Sequence, residues 1–255
     1  MRFASLGSGS EGNALLVEVA GTRLLMDCGF GLNDSIARLA RLGIAAEQLG
    51  GILVTHEHGD HSGGVARLAR KFGLPVWLTH GTRRSLSDKL SGIERICEID
   101  PHQPFVIGDI EITPYPVPHD AAEPVQFVFG DGARRLGVLT DAGSSTPHIE
   151  AVLAGCDALV LECNHDSDML MNGDYPWSLK QRVGGRFGHL NNRDAAAILS
   201  RLDRSRLQHL VAAHLSRSNN TAELAVAELV GVLGCETGWV TVATQQDGFG
   251  WCEIS

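Results

Sequence analysis

The chain has 255 residues, 44% of them apolar, with 21 basic and 30 acidic side chains for a net charge of −9. That is apolar residue enough for one large core or two small ones, with no run near the roughly 20 apolar residues of a membrane span. The overall charge has the wrong sign for a protein that coats nucleic acid. The N-terminus lacks the apolar segment of a secretory signal, and the six cysteines are scattered without a Cys-x-x-Cys pair, so a cytoplasmic protein with reduced thiols is expected.

In chain order, Gly7-Ser8-Gly9-Ser10-Glu11-Gly12-Asn13 leads into a strand and lacks the Gly-Lys-Ser/Thr ending of a Walker loop. It reads as a tight loop lining a site, with Ser8 and Asn13 as substrate contacts. Residues 13–19 and 22–27 read as two strands around Ala20-Gly21, a hairpin signal. Asp27 ends the second strand, where a buried carboxylate needs partners; bracing the next ligand loop from behind is its expected role. A helix is expected over 34–42.

Ile52-Leu53-Val54-Thr55 reads as a buried strand, and it runs straight into His56-Glu57-His58-Gly59-Asp60-His61. Three imidazoles and a carboxylate so close together suit a borderline divalent cation in an open site. His56 and His58 can face one ion, Asp60 and His61 a second. Residues 62–73 read as one helix closed by Gly73, residues 75–79 as a strand, 82–90 as a short helix and 105–113 as a hairpin on Gly108-Asp109. His80 and His102 are lone turn histidines and are assigned to the surface.

His119 follows a strand in the Pro-bounded loop Pro118-His119-Asp120-Ala121-Ala122-Glu123-Pro124, where it can supply a third nitrogen to the first ion. The strand pair 126–129 and 135–140 ends in Thr140-Asp141-Ala142-Gly143, and a carboxylate there can bridge two cations. Residues 158–163 read as a buried strand leading to His165, for which substrate contact, ligand support and loop packing all stay open. Tyr175-Pro176-Trp177 with Lys180 and Arg182 gives an aromatic-basic surface. His189 sits just before a helix, a position that favours anions. The strand 208–214 ends in His214, which can complete the second ion, while His209 is read as structural. Thr221 caps a helix running to Leu233, and strands at 239–244 and 249–254 finish the chain. Between Ser178 and Arg217 eight basic residues face two acidic ones, a local basic face on an acidic protein that suits a polyanion. No linker or repeat interrupts residues 1–255, which read as one domain.

With His56, His58, Asp60, His61, His119, Asp141 and His214 at strand ends in this order, the chain resembles a metallo-β-lactamase-fold hydrolase over essentially its full length. Within that superfamily it resembles the YycJ/WalJ type, related to the RNase Z and RNase J nucleases. The motifs that carry this are Gly7-Ser8-Gly9-Ser10, the His56–His61 run, His119-Asp120, Glu162-Cys163-Asn164-His165-Asp166, Tyr175-Pro176-Trp177-Ser178, Gly188-His189-Leu190-Asn191-Asn192 and His214-Leu215-Ser216. The resemblance implies an α/β (α+β) fold, the αββα four-layer sandwich, and a two-metal phosphodiesterase with 5′-to-3′ exonuclease activity on DNA.

In the expected mechanism two divalent ions, zinc or manganese, share a hydroxide for in-line attack. His56, His58 and His119 hold the first, Asp60, His61 and His214 the second, and Asp141 bridges. Asp60, His165 and His189 are the catalytic candidates. By resemblance to RNase Z, His189 contacts the phosphate or protonates the leaving oxygen. Lys180, Arg182 and Arg186 steer the backbone. The 22 positions from His119 to Asp141 leave no room for a tRNA-gripping arm, and the 73 from Asp141 to His214 none for the added domain of RNase J. A DNA end or short oligonucleotide is therefore the expected nucleic-acid partner. The rivals are a small-molecule hydrolase of the same fold (thioesterase, lactonase or cyclic-nucleotide phosphodiesterase) and a non-catalytic metal-bearing subunit, against which the intact ligand set argues.

Overall fold

A computed structural model describes residues 1–255. The chain opens with β1 (Arg2–Gly7), β2 (Ala14–Val19) and β3 (Thr22–Met26), an antiparallel meander, then passes through α1 (Leu32–Arg41) to β4 (Gly51–Leu53). After the short α2 (Gly59–Ser62) and α3 (Val65–Phe72) come β5 (Val76–Thr79), α4 (His80–Ser85), α5 (Ser87–Leu90) and β6 (Ile96–Ile99). The second half repeats the scheme: β7 (Phe105–Ile107), β8 (Ile110–Pro116), β9 (Val125–Gly130) and β10 (Arg135–Leu139), then α6 (Pro147–Leu153), β11 (Ala158–Glu162), α7 (Ser167–Asn172), α8 (Trp177–Val183), α9 (Asn192–Arg201) and β12 (His209–Ala213). The chain ends with α10 (Ala222–Leu233), β13 (Val240–Val242) and β14 (Phe249–Glu253), the last returning to pair with β1. The result is two seven-stranded sheets, ordered β14-β1-β2-β3-β4-β5-β6 and β13-β12-β11-β10-β9-β8-β7.

The layers follow from alternation along the strands. In β2, Leu15, Val17 and Val19 face the opposite sheet, while Ala14 and Leu16 face the helices; in β3, Leu24 and Met26 go inward and Leu25 outward. Likewise Val160 and Val211 enter the central core as Leu159, Leu161, Leu210 and Ala212 turn to the helices on the other side. Both faces of each sheet are therefore apolar, and the strands read as near-continuous hydrophobic runs. This is the expected four-layer αββα arrangement, with one core between the sheets and one beneath each helical layer.

Strands β3 to β6 run parallel, as do β10 to β13. In open parallel sheets the loops leaving the carboxyl ends form the ligand crevice, and here both sheets place those ends on the same rim. Only four non-glycine residues have positive φ: Ala20, in the β2–β3 hairpin, and Asp27, Asp141 and His214. The last three each end a strand at that rim. Such backbone costs on the order of 1–3 kcal/mol per residue and clusters at functional sites.

Three local expectations are corrected. Residues 62–73 form two helices, not one. Gly64 N donates to Cys28 O at 2.7 Å, and a Cβ on Gly64 would lie 1.9 Å from Phe30 O, so the chain breaks where it is pressed against the end of β3. Residues 82–90 likewise split between α4 and α5. The first 27 residues hold three strands: β1 is buried on both faces, so its residues show no alternation to read.

Candidate metal centre

The polar cluster that follows β4 folds back under the end of β3. Asn13 N donates to Asp60 O at 2.8 Å and Cys28 N to His61 O at 2.7 Å, and a Cβ on Gly29 would lie 1.9 Å from Asp60 O. The loop is thus fixed by backbone bonds before any ligand binds. Across the rim, the ends of β10, β11 and β12 deliver Asp141, Glu162 and His214, and the β8–β9 loop delivers His119.

Each imidazole has one nitrogen tied to an acceptor, which fixes its tautomer. His61 Nδ1 lies 2.8 Å from Asp27 Oδ2. Thr55 Oγ1 donates to that same carboxylate oxygen at 2.8 Å, so it accepts from His56 Nδ1 at 2.9 Å. His119 Nδ1 donates to Gly188 O at 3.0 Å, and His214 Nδ1 to Glu162 Oε1 at 3.1 Å. The Nε2 atoms of His56, His61, His119 and His214 face the interior of the site, those of His56 and His214 without a hydrogen-bond partner. His58 turns its Nδ1 toward His119 Nε2, 3.3 Å away. Asp141 lies among them, with Oδ2 3.2 Å from His61 Nε2 and Oδ1 3.5 Å from His214 Nε2 and 3.9 Å from His119 Nε2. Asp60 Oδ2 is 3.4 Å from His61 Nε2 and 3.6 Å from His214 Nε2.

Potential ligand atoms fall within 4.8 Å of one another in overlapping groups: His56, His58 and His119; Asp60, His61 and His214; His56, His61 and Asp141. His56 Nε2, His214 Nε2 and Asp141 Oδ2 are buried without a hydrogen-bond partner. A buried polar atom left unpaired costs about 1–3 kcal/mol, and three converging on one space fit an ion-binding centre of nitrogen and carboxylate donors.

A family model described as a β-lactamase superfamily domain matches residues 22–214. The chain belongs to the metallo-β-lactamase superfamily. It is 37% identical to the exodeoxyribonuclease YycJ of Bacillus anthracis over 237 residues, covering 91% of this chain and 89% of that one. It is 34% identical to the exodeoxyribonuclease WalJ of Streptococcus pneumoniae over 238 residues, 91% of this chain and 88% of the relative. Its fold matches the crystal structure of the metallo-β-lactamase-fold protein YhfI of Bacillus subtilis with a TM-score of 0.77 at 20% identity, over 98% of each chain. As a member of the superfamily the chain is a metal-dependent hydrolase. No helix is long and apolar enough to cross a membrane.

The superfamily's metal rim carries strongly perturbed groups. Burial is the largest single influence at His61 and His214 and disfavours the imidazolium, but the carboxylates together outweigh it: Asp141 and Asp27 at the first, Asp141, Asp60 and Glu162 at the second. His61 is raised well above the ordinary histidine value and His214 to about 10. Burial leads at His56 and His119 and lowers both. Burial works against ionised Asp141 and Glu162 too, yet His214 and His61 hold the first well below the carboxylate range, and His189 holds the second at about 2. A metal must therefore displace protons from His61 and His214. Apparent affinity for Zn²⁺ or Mn²⁺ is expected to rise about tenfold or more per pH unit between about pH 6.5 and 8.5, read by competition with a chelator of known pH dependence. A flat profile would mean that these two histidines do not exchange protons for metal.

The remaining expected residues divide. Asp27 Oδ2 bonds His61 Nδ1 directly and reaches His56 through Thr55. His189 joins the rim, its ring 5.2 Å from His119 and 5.3 Å from His214, with Nδ1 2.9 Å from Glu162 Oε1. Ser8 and Asn13 are buried and turned inward: Ser8 Oγ accepts from His214 N at 2.9 Å, and Asn13 Nδ2 lies 3.1 Å from His61 Nε2. They support the rim rather than face a substrate. His165 is not brought to the cluster. Its Nδ1 faces Asn164 Oδ1 at 3.3 Å and its ring lines a separate pocket. Lys180 Nζ donates to Met171 O at 2.8 Å, Arg182 is ion-paired with Asp120, and Arg186 is exposed. His80 and His102 are exposed as expected, and His209 Nε2 bonds Glu253 O.

Three contributors went unassigned from sequence. Glu162 anchors two histidines through Oε1, while its Oε2 accepts from Ala142 N and Leu190 N, each at 3.1 Å. Glu57, between two ligand candidates, accepts from Ala122 N at 2.8 Å and so ties the loop after β4 to the loop of His119. Asp120 lies 3.5 Å from His119 Nε2 and joins that loop to α8 through Arg182. The available signal was a carboxylate closing an apolar strand, which Glu162 shares with Asp27.

Proposed function

We propose that the chain is a binuclear phosphodiesterase that removes nucleotides from the 5′ end of DNA. The observation that carries this is the convergence of unpaired Nε2 and carboxylate atoms at one rim, in a chain that matches two exodeoxyribonucleases over nine-tenths of its length. His56, His58 and His119 would hold one ion and Asp60, His61 and His214 the other, with Asp141 shared by both sets. Two bound divalent ions, zinc or manganese, would supply Lewis acidity at the phosphate oxygens and an activated water.

The chain's own residues do the rest. Glu162 accepts from His189 Nδ1, which leaves His189 Nε2 facing the partly open rim. Burial opposes a charged His189, but Glu162 and Asp141 raise its pKa. It is therefore suited to hold a proton near neutrality and donate it from Nε2 to the leaving oxygen. Asp60, its side chain 23% exposed where that of Asp141 is 3% and that of Glu162 fully buried, lines the entrance. Arg182 is paired with Asp120 beside His119, and exposed Arg186 places a positive charge on the flank of the mouth. The six unpaired cysteines support a cytoplasmic location, and the core shared by both sheets supports one domain over 1–255.

The test is nucleotide release from 5′-labelled DNA and matched RNA with Mn²⁺ or Zn²⁺, beside the His58→Ala and His189→Ala proteins. DNA should be degraded by the parent, with losses of at least about 10²-fold in both variants. If neither polymer is cleaved while a thioester or lactone is turned over with dependence on His58, the protein is a small-molecule hydrolase.

A further inference from the structure

The chain exposes six large apolar side chains, and three of them fall within 17 residues of one another: Met171, 50% exposed, and Trp177 and Phe187, each 60% exposed. That stretch carries α7, α8 and the turn that leads to His189. Isolated exposed apolar residues need no explanation, but two of these lining one pocket do. Met171 and Trp177 stand at the mouth of a pocket of about 230 Å³ whose wall includes Leu170, Lys180, Gly184 and His165. Lys180 is the pocket's single charged side chain. Its volume lies below the roughly 300–1,000 Å³ of drug-sized sites, a space for one flat ring system.

The decisive feature is His165. It is only 2% exposed, yet one of its nitrogens is unpartnered. Asn164 Nδ2 donates to His214 O at 3.0 Å, which turns Asn164 Oδ1 toward His165 Nδ1. That nitrogen must then carry the proton, and Nε2 is left as an acceptor. No protein group bonds Nε2. It faces Gly184, where an added Cβ would stand 3.9 Å away. The pocket thus offers an apolar and aromatic rim, one cation and one acceptor that no protein group bonds.

Resting on the nuclease reading above, we propose that this pocket receives a nucleobase of the DNA strand flanking the scissile phosphate. The base stacks on Trp177, its Watson–Crick N–H donates to His165 Nε2, and the backbone passes Lys180. Every base carries an N–H on that edge, so the pocket grips a strand without selecting its sequence. Aromatic stacking is tolerant of sequence in the same way. Asn191 lines the pocket and stands two residues beyond His189, so the pocket and the metal rim are reached by one short stretch of chain.

The test is equilibrium binding of a fluorescein-labelled single-stranded DNA oligonucleotide to the full-length, chelator-treated protein, with one abasic residue scanned along its 5′ end. Trp177 is exposed, so Trp177→Ala leaves the core intact. That substitution should weaken binding about tenfold. One abasic position should weaken the parent equally, and the two changes together should cost no more than either alone. Trp177→Phe should restore most of the affinity. Equal affinity of parent and Trp177→Ala, or losses that add in full, would overturn the pocket. Cleavage assayed on the same oligonucleotide separates the two ideas. Cleavage with additive binding losses removes the pocket alone, whereas the non-additive pattern without cleavage keeps the pocket and removes the DNA-cleaving reading.

Discussion

On the proposed binuclear DNA-cleaving reading, replacing Asp141 by asparagine is expected to lower kcat/KM on DNA by on the order of 10³ and to reduce bound metal from two equivalents to one or fewer. Asp141 is 2% exposed and reaches toward both halves of the ligand set, His61 and His214 on one side and His119 on the other. Asparagine is nearly isosteric and tolerates the φ of +53° at this position as aspartate does. No cavity opens, and the backbone has no new reason to move. What changes is the charge and one face of the group: an acceptor oxygen becomes an NH₂ that points at a bound cation. Metal-assisted stabilisation of a phosphoryl transition state is worth several kcal/mol, and each 1.36 kcal/mol is about tenfold in rate. Elemental analysis after desalting, beside steady-state kinetics, reads both quantities. Two retained equivalents with activity within about tenfold of the parent would take Asp141 out of the bridging position.

The parts of this site legible in the sequence share one property: the chemistry is announced locally. His56, His58, Asp60 and His61 follow a run of four apolar or β-branched residues, so the strand and the cluster that it delivers are read together. Asp141 and His214 likewise close apolar strands, and such strands bring their carboxyl ends to one rim in a sandwich of this kind. The layer order was legible for a related reason. Strands apolar on both faces must be covered on both, and helical segments between them are the only cover available.

What was not legible depends on contacts made across the chain. Ser8 reads as the tip of a flexible glycine-rich loop, yet its hydroxyl caps the backbone of His214, 206 positions away. Asn13 is drawn against His61 by the same closure of the rim. The break between α2 and α3 has no signal in its own residues beyond a glycine pair, because what interrupts the helical ladder is Cys28 O, which takes the Gly64 N–H, while Asp60 O accepts from Asn13 N instead. Arg182 reads as a free cation on a helix, but the loop of His119 brings Asp120 to it. His165 follows a strand end as the ligands do, but its Nδ1 faces Asn164 Oδ1 and its ring lines a separate pocket. Strand-end position therefore marks candidates, and side-chain direction decides among them.

Glu162→Gln separates support of the ligands from support of the fold. Glu162 is fully buried, and its two oxygens have different clients. Oε2 accepts from two backbone amides, while Oε1 accepts from the Nδ1 atoms of His189 and His214. A glutamine can keep its oxygen on the amides, so the fold around β11 is retained. Its NH₂ then faces both imidazoles and must donate to at least one of them. A histidine that accepts at Nδ1 carries its proton on Nε2, the atom that must be bare to bind an ion. The expected result is a protein whose metal-free melting temperature stays within a few degrees of the parent, with metal affinity or activity down about 10- to 100-fold or more. Glu162→Ala should behave differently. It leaves two amides and two imidazoles without their buried acceptor and should destabilise the metal-free fold by about 3–5 kcal/mol, read by denaturant unfolding. If both variants unfold alike, Glu162 is a structural carboxylate. If glutamine binds and turns over like the parent, the tautomer of His214 is set by something other than Glu162.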